Sequence, residues 1–136
     1  MIRVSIALLL AVFAHGFIYA QFSQTLIDNA KQNFDKKEYN EALGFLNQAI
    51  EADTLSINAF HLRAKTLYEL GQYYNAILDI NKILKFEELP LEDEPKYYLT
   101  RGKAFLAVED YANAKKDFEK CMIMESNNDQ VYYYKG

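Results

Sequence analysis

Few side chains in this sequence have the chemistry of a catalytic or metal-binding site. The 136 residues include two histidines, His15 and His61, and one cysteine, Cys121. Because His15 lies in an apolar leader, the rest of the chain has a single histidine and cannot form a zinc site built on a histidine pair. A glycine-rich phosphate-binding loop is also missing from the sequence. The sequence therefore predicts no catalytic residue, no metal site and no cofactor, and a protein that is not an enzyme.

The composition indicates one folded helical domain. Hydrophobic residues make up 51% of the chain and aromatic residues 15%, which is too rich in core-forming side chains for a disordered protein. Only five glycines and two prolines occur, as suits helices joined by short turns. The formal net charge of −4 argues against nucleic-acid binding, which requires a basic face.

The first twenty residues have the layout of a bacterial-type signal peptide. Arg3 is followed by the apolar run Val4–Ala14, and the small residue Ala20 precedes Gln21. This layout predicts cleavage after Ala20 and an exported protein, periplasmic or secreted, with no stable membrane span once the leader is removed. The alternative is an uncleaved membrane anchor, for which the segment is short. Gln21 in place of a cysteine argues against a lipid-anchored lipoprotein.

A Tyr-x-x-Ala motif occurs three times, at Tyr39, Tyr73 and Tyr111, with spacings of 34 and 38 residues. The residues around each tyrosine form matching columns. A small residue lies nine positions before the tyrosine (Ala30, Ala64, Gly102), alanine lies three after it (Ala42, Ala76, Ala114), and a large apolar residue lies seven after it (Leu46, Ile80, Phe118). Apolar and small residues spaced three and four positions apart predict pairs of amphipathic helices that cross closely at the small residues. The turns between the two helices of each pair are predicted at 36–38, 70–72 and 108–110.

These columns, repeated at about 34 residues, resemble the tetratricopeptide repeat. The resemblance covers residues 23–128 and implies an all-α fold, a right-handed α-solenoid of three helix–turn–helix repeats plus a partial fourth. The predicted organisation is a signal peptide at 1–20, repeats at 23–56, 57–90 and 95–128, an acidic insert at 91–94, and the start of a fourth repeat or a short cap at 129–136. Residues 129–136 are therefore either a minimal cap or the beginning of a longer array.

Two further columns are candidates for a binding groove. Lysine lies eight positions before each tyrosine (Lys31, Lys65, Lys103), and an apolar residue follows three positions later (Phe34, Tyr68, Leu106). The resemblance implies that both columns line a concave face that binds peptide segments of other proteins. A lysine column beside an apolar column would suit an extended peptide with acidic and apolar side chains. The alternative is a solvated helix face, because Asp35 and Glu69 lie four residues after two of the lysines.

The remaining reactive side chains have structural interpretations. Cys121 lies in a small-residue column ten positions after the tyrosine, which predicts core packing. His61 is expected to be a groove-lining or half-exposed residue of the first helix of its repeat. The favoured function is a non-catalytic protein–protein interaction module of the cell envelope that binds a protein or acidic peptide in its groove. The alternative is an N-terminal structural part of a longer envelope protein. The sequence predicts no nucleic-acid partner and leaves the oligomeric state open.

Overall fold

The computed structural model describes the backbone of residues 5–86 and 89–133, and the side chains of these residues except 91 and 127–133. Within these ranges the chain forms six α helices, one 3₁₀ turn and no β strand. The helices are α1 (Ile6–Asp35), α2 (Tyr39–Ala52), α3 (Ile57–Glu69), α4 (Tyr73–Ile83), α5 (Glu94–Ala107) and α6 (Tyr111–Tyr133), with the 3₁₀ turn at Leu91–Asp93. The predicted all-α architecture is confirmed.

The chain divides into two compact units, Met1–Ala59 and Phe60–Gly136, with the boundary inside α3. In the first unit α1 packs against α2, and Ser23 donates a hydrogen bond of 3.0 Å to the Ala49 carbonyl. In the second unit α5 packs against both α4 and α6. Each described helical hairpin thus buries one apolar face of each of its helices, as the sequence columns require.

The three predicted turns lie between the ends of the helices. Their central residues Lys37, Gly71 and Glu109 have positive φ angles of 63°, 75° and 63°. The amide of the next residue reaches back five positions in every case, from Glu38 to Asn33, from Gln72 to Leu67 and from Asp110 to Phe105, at 2.8, 2.8 and 2.9 Å. This is the left-handed helix ending that satisfies terminal carbonyls, so one turn geometry is built three times although only one copy uses glycine.

The small-residue columns lie in the cores of the hairpins. Ala30, Ala42, Ala64 and Ala76 are fully buried, as expected for close helix crossings. Gly102 occupies the same column in the third hairpin, and a Cβ built on it would lie 2.8 Å from Cε1 of Phe118. Glycine is needed there because the large ring opposite leaves no room for a methyl group.

The predicted leader belongs to a longer helix. Helix α1 runs without a break from Ile6 to Asp35, and its first buried residue is Ser23. The large apolar side chains between Ile6 and Phe22 are exposed. By length and composition α1 is able to cross a membrane, a property that a signal sequence near the N-terminus shares with a true span.

The other segments of irregular composition are more helical than the sequence suggested. Within the described part of the acidic insert, Leu91–Asp93 form a 3₁₀ turn that leads directly into α5, where Pro95 occupies the first turn as expected. Helix α6 continues through residue 128 to Tyr133, with no turn where a fourth repeat was predicted to begin. Residues 134–136 of that prediction lie outside the described residues.

Substituting alanine for glycine should have opposite effects at two positions. Gly102→Ala should destabilise the protein by about 1–3 kcal/mol, because the new methyl group overpacks the Phe118 ring. Gly44→Ala is the matched control: Gly44 lies within α2 with nothing within 4 Å of an added Cβ, so alanine should stabilise by about 0.5–1 kcal/mol. Urea unfolding of both variants measures the difference, and equal midpoints would contradict the close crossing at Gly102.

Candidate peptide-binding surface

Two rows of side chains in the second unit form the candidate surface. The α3 row consists of His61, Lys65 and Tyr68, and the α5 row consists of Lys96, Thr100 and Lys103. Residues three, four or seven positions apart share one face of a helix, so each row is a continuous line along its helix. All three lysines are exposed, whereas His61, Tyr68 and Thr100 are half-buried.

The two rows meet at His61. Nε2 of His61 lies 3.1 Å from the Thr100 hydroxyl, and the His61 ring contacts the Tyr97 ring edge-on, with 4.9 Å between centroids. Tyr97 is 1% exposed, so it holds the imidazole from a fixed position in the core. These contacts place the His61 end of the α3 row beside the middle of the α5 row.

Burial and two nearby lysines act on the protonation of His61. Burial, followed by the positive charges of Lys65 and Lys96, lowers the pKa of His61 from 6.5 to about 4, against an opposing effect of Asp93. His61 is therefore neutral at pH 7. A proton on the imidazole is disfavoured first because the ring is removed from water and then because two ammonium groups are close.

The lysines of the α5 row differ in their contacts. Lys96 makes an ion pair of 2.7 Å with Asp93, and both side chains are more than 40% exposed, so this pair is worth less than about 1 kcal/mol. Lys103 makes no ion pair or hydrogen bond with any residue that the structure describes. An exposed lysine without an internal contact is available to an external carboxylate.

The residues predicted to line a groove lie in different parts of the structure. Lys31 and Phe34 belong to the first unit, where Lys31 is exposed and forms no ion pair with Asp35 among the described residues. Lys65 and Lys103 belong to the second unit, on adjacent helices. The Lys31–Asp35 ion pair, which would have favoured a solvated helix face over a binding groove, is therefore not formed.

The predicted apolar column makes contacts near the turns of the hairpins. The Phe34 ring packs edge-on against Tyr39 at 5.4 Å, and Tyr68 packs in the same way against Tyr73 at 5.3 Å. Leu106 is 49% exposed and lines an open apolar depression with Tyr111, Ala114, Phe118 and Met122. Phe34 and Tyr68 thus pack against the tyrosines that follow the turns, whereas Leu106 lines a depression. The role of all three side chains in a groove stays a prediction.

Buried ion pairs hold α3 and α5 in position, and the sequence prediction missed them. Arg63 on α3 binds Asp79 on α4 through two hydrogen bonds of 2.7 Å, and Arg101 on α5 binds Asp117 on α6 in the same way. The two pairs have the same separation of 16 residues and recur 38 residues apart, which is the spacing of the repeat tyrosines. That recurrence could have predicted the two ion pairs from the sequence. The first hairpin has no such pair and holds Asn29 and Phe45 at the corresponding positions.

The same hairpins enclose an aromatic ring between cations. In the second hairpin the Phe60 ring lies 5.4 Å from the Arg63 guanidinium and 4.6 Å from the Lys82 ammonium. In the third hairpin the corresponding contacts of Tyr98 are 5.5 Å to Arg101 and 4.4 Å to Lys120. The charged groups therefore pack over core rings. These contacts fix which face of α3 and of α5 is turned toward the other helix of the hairpin.

The described residues contain no cluster of three or more histidine, cysteine, aspartate or glutamate side chains placed to hold a metal ion. Cys121 is 4% exposed, and burial together with Glu125 raises the pKa of its thiol. A buried protonated thiol is a poor nucleophile, in agreement with the predicted packing role.

A family model described as tetratricopeptide repeat matches residues 95–128. Residues 95–128 therefore match a tetratricopeptide repeat. The tetratricopeptide repeat domain of Arabidopsis OM64 has a similar structure, with a TM-score of 0.73 and 23% identity over 80% of this chain and 87% of that domain. The first such domain of Spaghetti (RPAP3), solved with the HSP90 peptide SRMEEVD, gives a TM-score of 0.72 and 25% identity over 79% and 82% of the two chains. The predicted class, a helical-repeat solenoid, is confirmed.

The curated relatives that this chain matches are much longer. Human tetratricopeptide repeat protein 13 is 27% identical over 126 residues, which make up 93% of this chain and 13% of that protein. The DnaJ homolog subfamily C member 3 homolog of Dictyostelium discoideum is 27% identical over 108 residues, 76% of this chain and 21% of that protein. The chain thus spans about an eighth to a fifth of these relatives.

Removing one partner of a buried pair should cost far more than removing an exposed partner on the same helix. Asp117→Ala should destabilise the protein by about 3 kcal/mol, the low end for a buried pair, because the Arg101 side chain is 19% exposed and keeps its hydrogen bond to Asn81. Glu119→Ala is the control, since Glu119 is 52% exposed and pairs with Lys115 at 3.7 Å, and it should cost less than about 0.5 kcal/mol. The midpoints of urea unfolding measure the loss of stability in each variant. Similar losses for both variants would show that the buried pair does not hold the hairpin.

Proposed function

We propose that this tetratricopeptide repeat chain is a non-catalytic interaction module that binds an acidic peptide segment across the α3 and α5 rows. The observation that carries the proposal is the contact of His61 with Tyr97 and Thr100, which sets Lys65, Lys96 and Lys103 on adjacent helices. The closeness of Lys65 and Lys96 to His61 supports an anionic ligand. Lys103 adds a cation without a contact among the described residues.

The comparisons support the same class of ligand. Two tetratricopeptide repeat domains of Spaghetti (RPAP3) were solved with the HSP90 peptide SRMEEVD, whose sequence contains three acidic residues and one arginine. The present chain would recognise such a segment by its carboxylates, with lysine ammonium groups as donors. The proposal names the chemistry of the ligand and extends neither to HSP90 nor to any activity of the longer relatives.

Charge reversal on the two rows tests the proposal. The peptide SRMEEVD serves as the probe, and the double variant Lys65→Glu/Lys103→Glu should bind it roughly tenfold or more weakly, because attraction to the carboxylates becomes repulsion. Lys85→Glu/Lys116→Glu is the matched control: it makes the same change of net charge at exposed positions outside α3 and α5 and should bind like the wild type. Fluorescence anisotropy at low and high salt measures both affinities.

The outcomes of this titration separate the alternatives. Equal loss of affinity in both double variants would mean that only net charge matters and would contradict a site on the two rows. Lys31→Glu, tested alone, shows whether the first unit contributes to binding. No binding by the folded wild-type chain would favour a second candidate, a structural module within a longer envelope protein, which is suggested by the small share of its relatives that the chain spans.

On this proposal the chain works outside the cytoplasm, in the periplasm or the cell envelope, after removal of residues 1–20. The support is Arg3, the apolar run that follows it, and Ala20 before Gln21. In addition, Ser23 is the first buried residue of α1, so cleavage after Ala20 would leave the core of the first hairpin intact.

Mass spectrometry of the chain recovered from a bacterial host tests the export proposal. Expressed with its own leader, the chain should appear in the periplasmic fraction with a mass that begins at Gln21. Full-length chain retained in the membrane fraction would overturn cleavage and support the anchor instead.

A further inference from the structure

We propose that His61 supplies a hydrogen-bond acceptor, Nδ1, that binds a backbone N–H of the acidic peptide beside its carboxylate. The inference rests on the proposed function and identifies a specificity-determining residue that lysines cannot replace. A lysine ammonium only donates hydrogen bonds, whereas a peptide presents both carboxylate acceptors and amide donors. A surface that reads both groups distinguishes a peptide from a simple anion.

The hydrogen bonds around Thr100 determine which nitrogen of His61 carries the hydrogen. The Thr100 hydroxyl donates its single hydrogen to the Lys96 carbonyl at 2.9 Å. It therefore accepts from His61, whose Nε2 lies 3.1 Å away. In a neutral imidazole only one nitrogen is a donor, so Nε2 carries the hydrogen and Nδ1 is left with a free lone pair.

Nδ1 is accessible to a ligand. His61 makes no hydrogen bond through Nδ1 to any residue that the structure describes, and in the same part of the chain no buried side-chain nitrogen lacks a partner. Because Nδ1 has no partner there, it is not fully buried. An acceptor at the surface of a half-buried ring can be contacted by a peptide that lies along the two rows.

The ring is also held rigidly and in the neutral form. Its edge-on contact with Tyr97 has an interplanar angle of 85°, and its Nε2–H is fixed on Thr100. Burial and the charges of Lys65 and Lys96 keep the pKa of His61 near 4, so Nδ1 accepts rather than donates at pH 7. A fixed acceptor loses little conformational entropy on binding, which favours its use in recognition.

The neighbours of His61 indicate what lies beside the bound N–H. Lys65 is one helical turn away on α3, and Lys96 is close enough to depress the pKa of the imidazole. A carboxylate attracted by either ammonium would bring its own backbone amide next to the ring. The ligand chemistry is therefore an acidic residue in an extended segment, with its carboxylate on a lysine and a neighbouring amide on Nδ1.

Backbone N-methylation combined with substitution of His61 tests the inference. A series of SRMEEVD peptides, each with one N-methylated amide, is titrated against the wild type, His61→Gln and His61→Phe. Glutamine offers both an acceptor and a donor, whereas phenylalanine keeps a ring against Tyr97 and offers neither. One peptide of the series should bind the wild type and His61→Gln roughly three- to tenfold more weakly than the unmodified peptide, and this penalty should vanish in His61→Phe.

The possible results distinguish failure of the inference from failure of the proposed function. If the unmodified peptide binds and the lysine double variant loses it, but every N-methyl penalty is the same in the wild type and His61→Phe, the acceptor role is wrong and the lysine surface stands. If the unmodified peptide does not bind the folded wild type, both proposals fall. A merely structural role of His61 would change all peptides alike and would leave the penalties unchanged.

A second variant covers the case in which His61→Phe does not fold, as judged by circular dichroism. Thr100→Val removes the acceptor that holds Nε2–H and so releases the preference for one tautomer. The penalty of the critical N-methyl peptide should then fall by roughly half, because the imidazole presents Nδ1 as an acceptor for only part of the time. A full penalty in folded Thr100→Val would contradict the inference.

Discussion

The second and third hairpins depend on a buried ion pair between their two helices. Each arginine uses two nitrogens on one aspartate, and Arg101 also donates from a third nitrogen to Asn81 on α4 at 2.7 Å. This satisfies both charges in a place where an unpaired charge would be very costly. Since the arginine side chains face inward, the opposite faces of α3 and α5 are left to the lysines and His61, so the ion pairs indirectly determine what the surface presents.

The first hairpin is built differently. Its columns hold Asn29 and Phe45 where the other hairpins hold the ion pair, and Leu26 where they hold an aromatic ring. Its described helices share the fully buried alanines of the second hairpin, and in place of the ion pair they have a hydrogen bond from Ser23 to the Ala49 carbonyl. One backbone geometry is thus supported by two kinds of core, because a helix crossing requires small residues but accepts either polar or apolar neighbours.

The acidic net charge of the chain and a cluster of lysines near His61 are compatible. Net charge governs long-range attraction and solubility, whereas a ligand within a few ångströms responds to the nearest groups, which here are Lys65, Lys96 and Asp93. The net charge of −4 therefore does not argue against binding of an acidic peptide. It argues more strongly against nucleic-acid binding, because phosphate backbones need an extended basic surface.

The sequence by itself determined the helices, their turns and their close crossings. The small-residue columns and the tyrosine spacing are local periodic signals, and they located the turns at 36–38, 70–72 and 108–110 without reference to any distant contact. It also identified Lys65 and Lys103 as surface residues of first helices. It did not indicate that α6 would continue to Tyr133, because the apolar column that begins each repeat recurs at Tyr132 and predicted a new helix there.

Only the tertiary structure decided what surrounds each candidate residue. His61 and Thr100 are 39 residues apart, and their hydrogen bond depends on how two hairpins stack, which no local pattern encodes. The ion pairs of Arg63 and Arg101 likewise join different helices, so residue types alone do not reveal which charges are buried. The neutral state of His61 follows from the same packing, since burial and neighbouring charge, not residue identity, set its pKa.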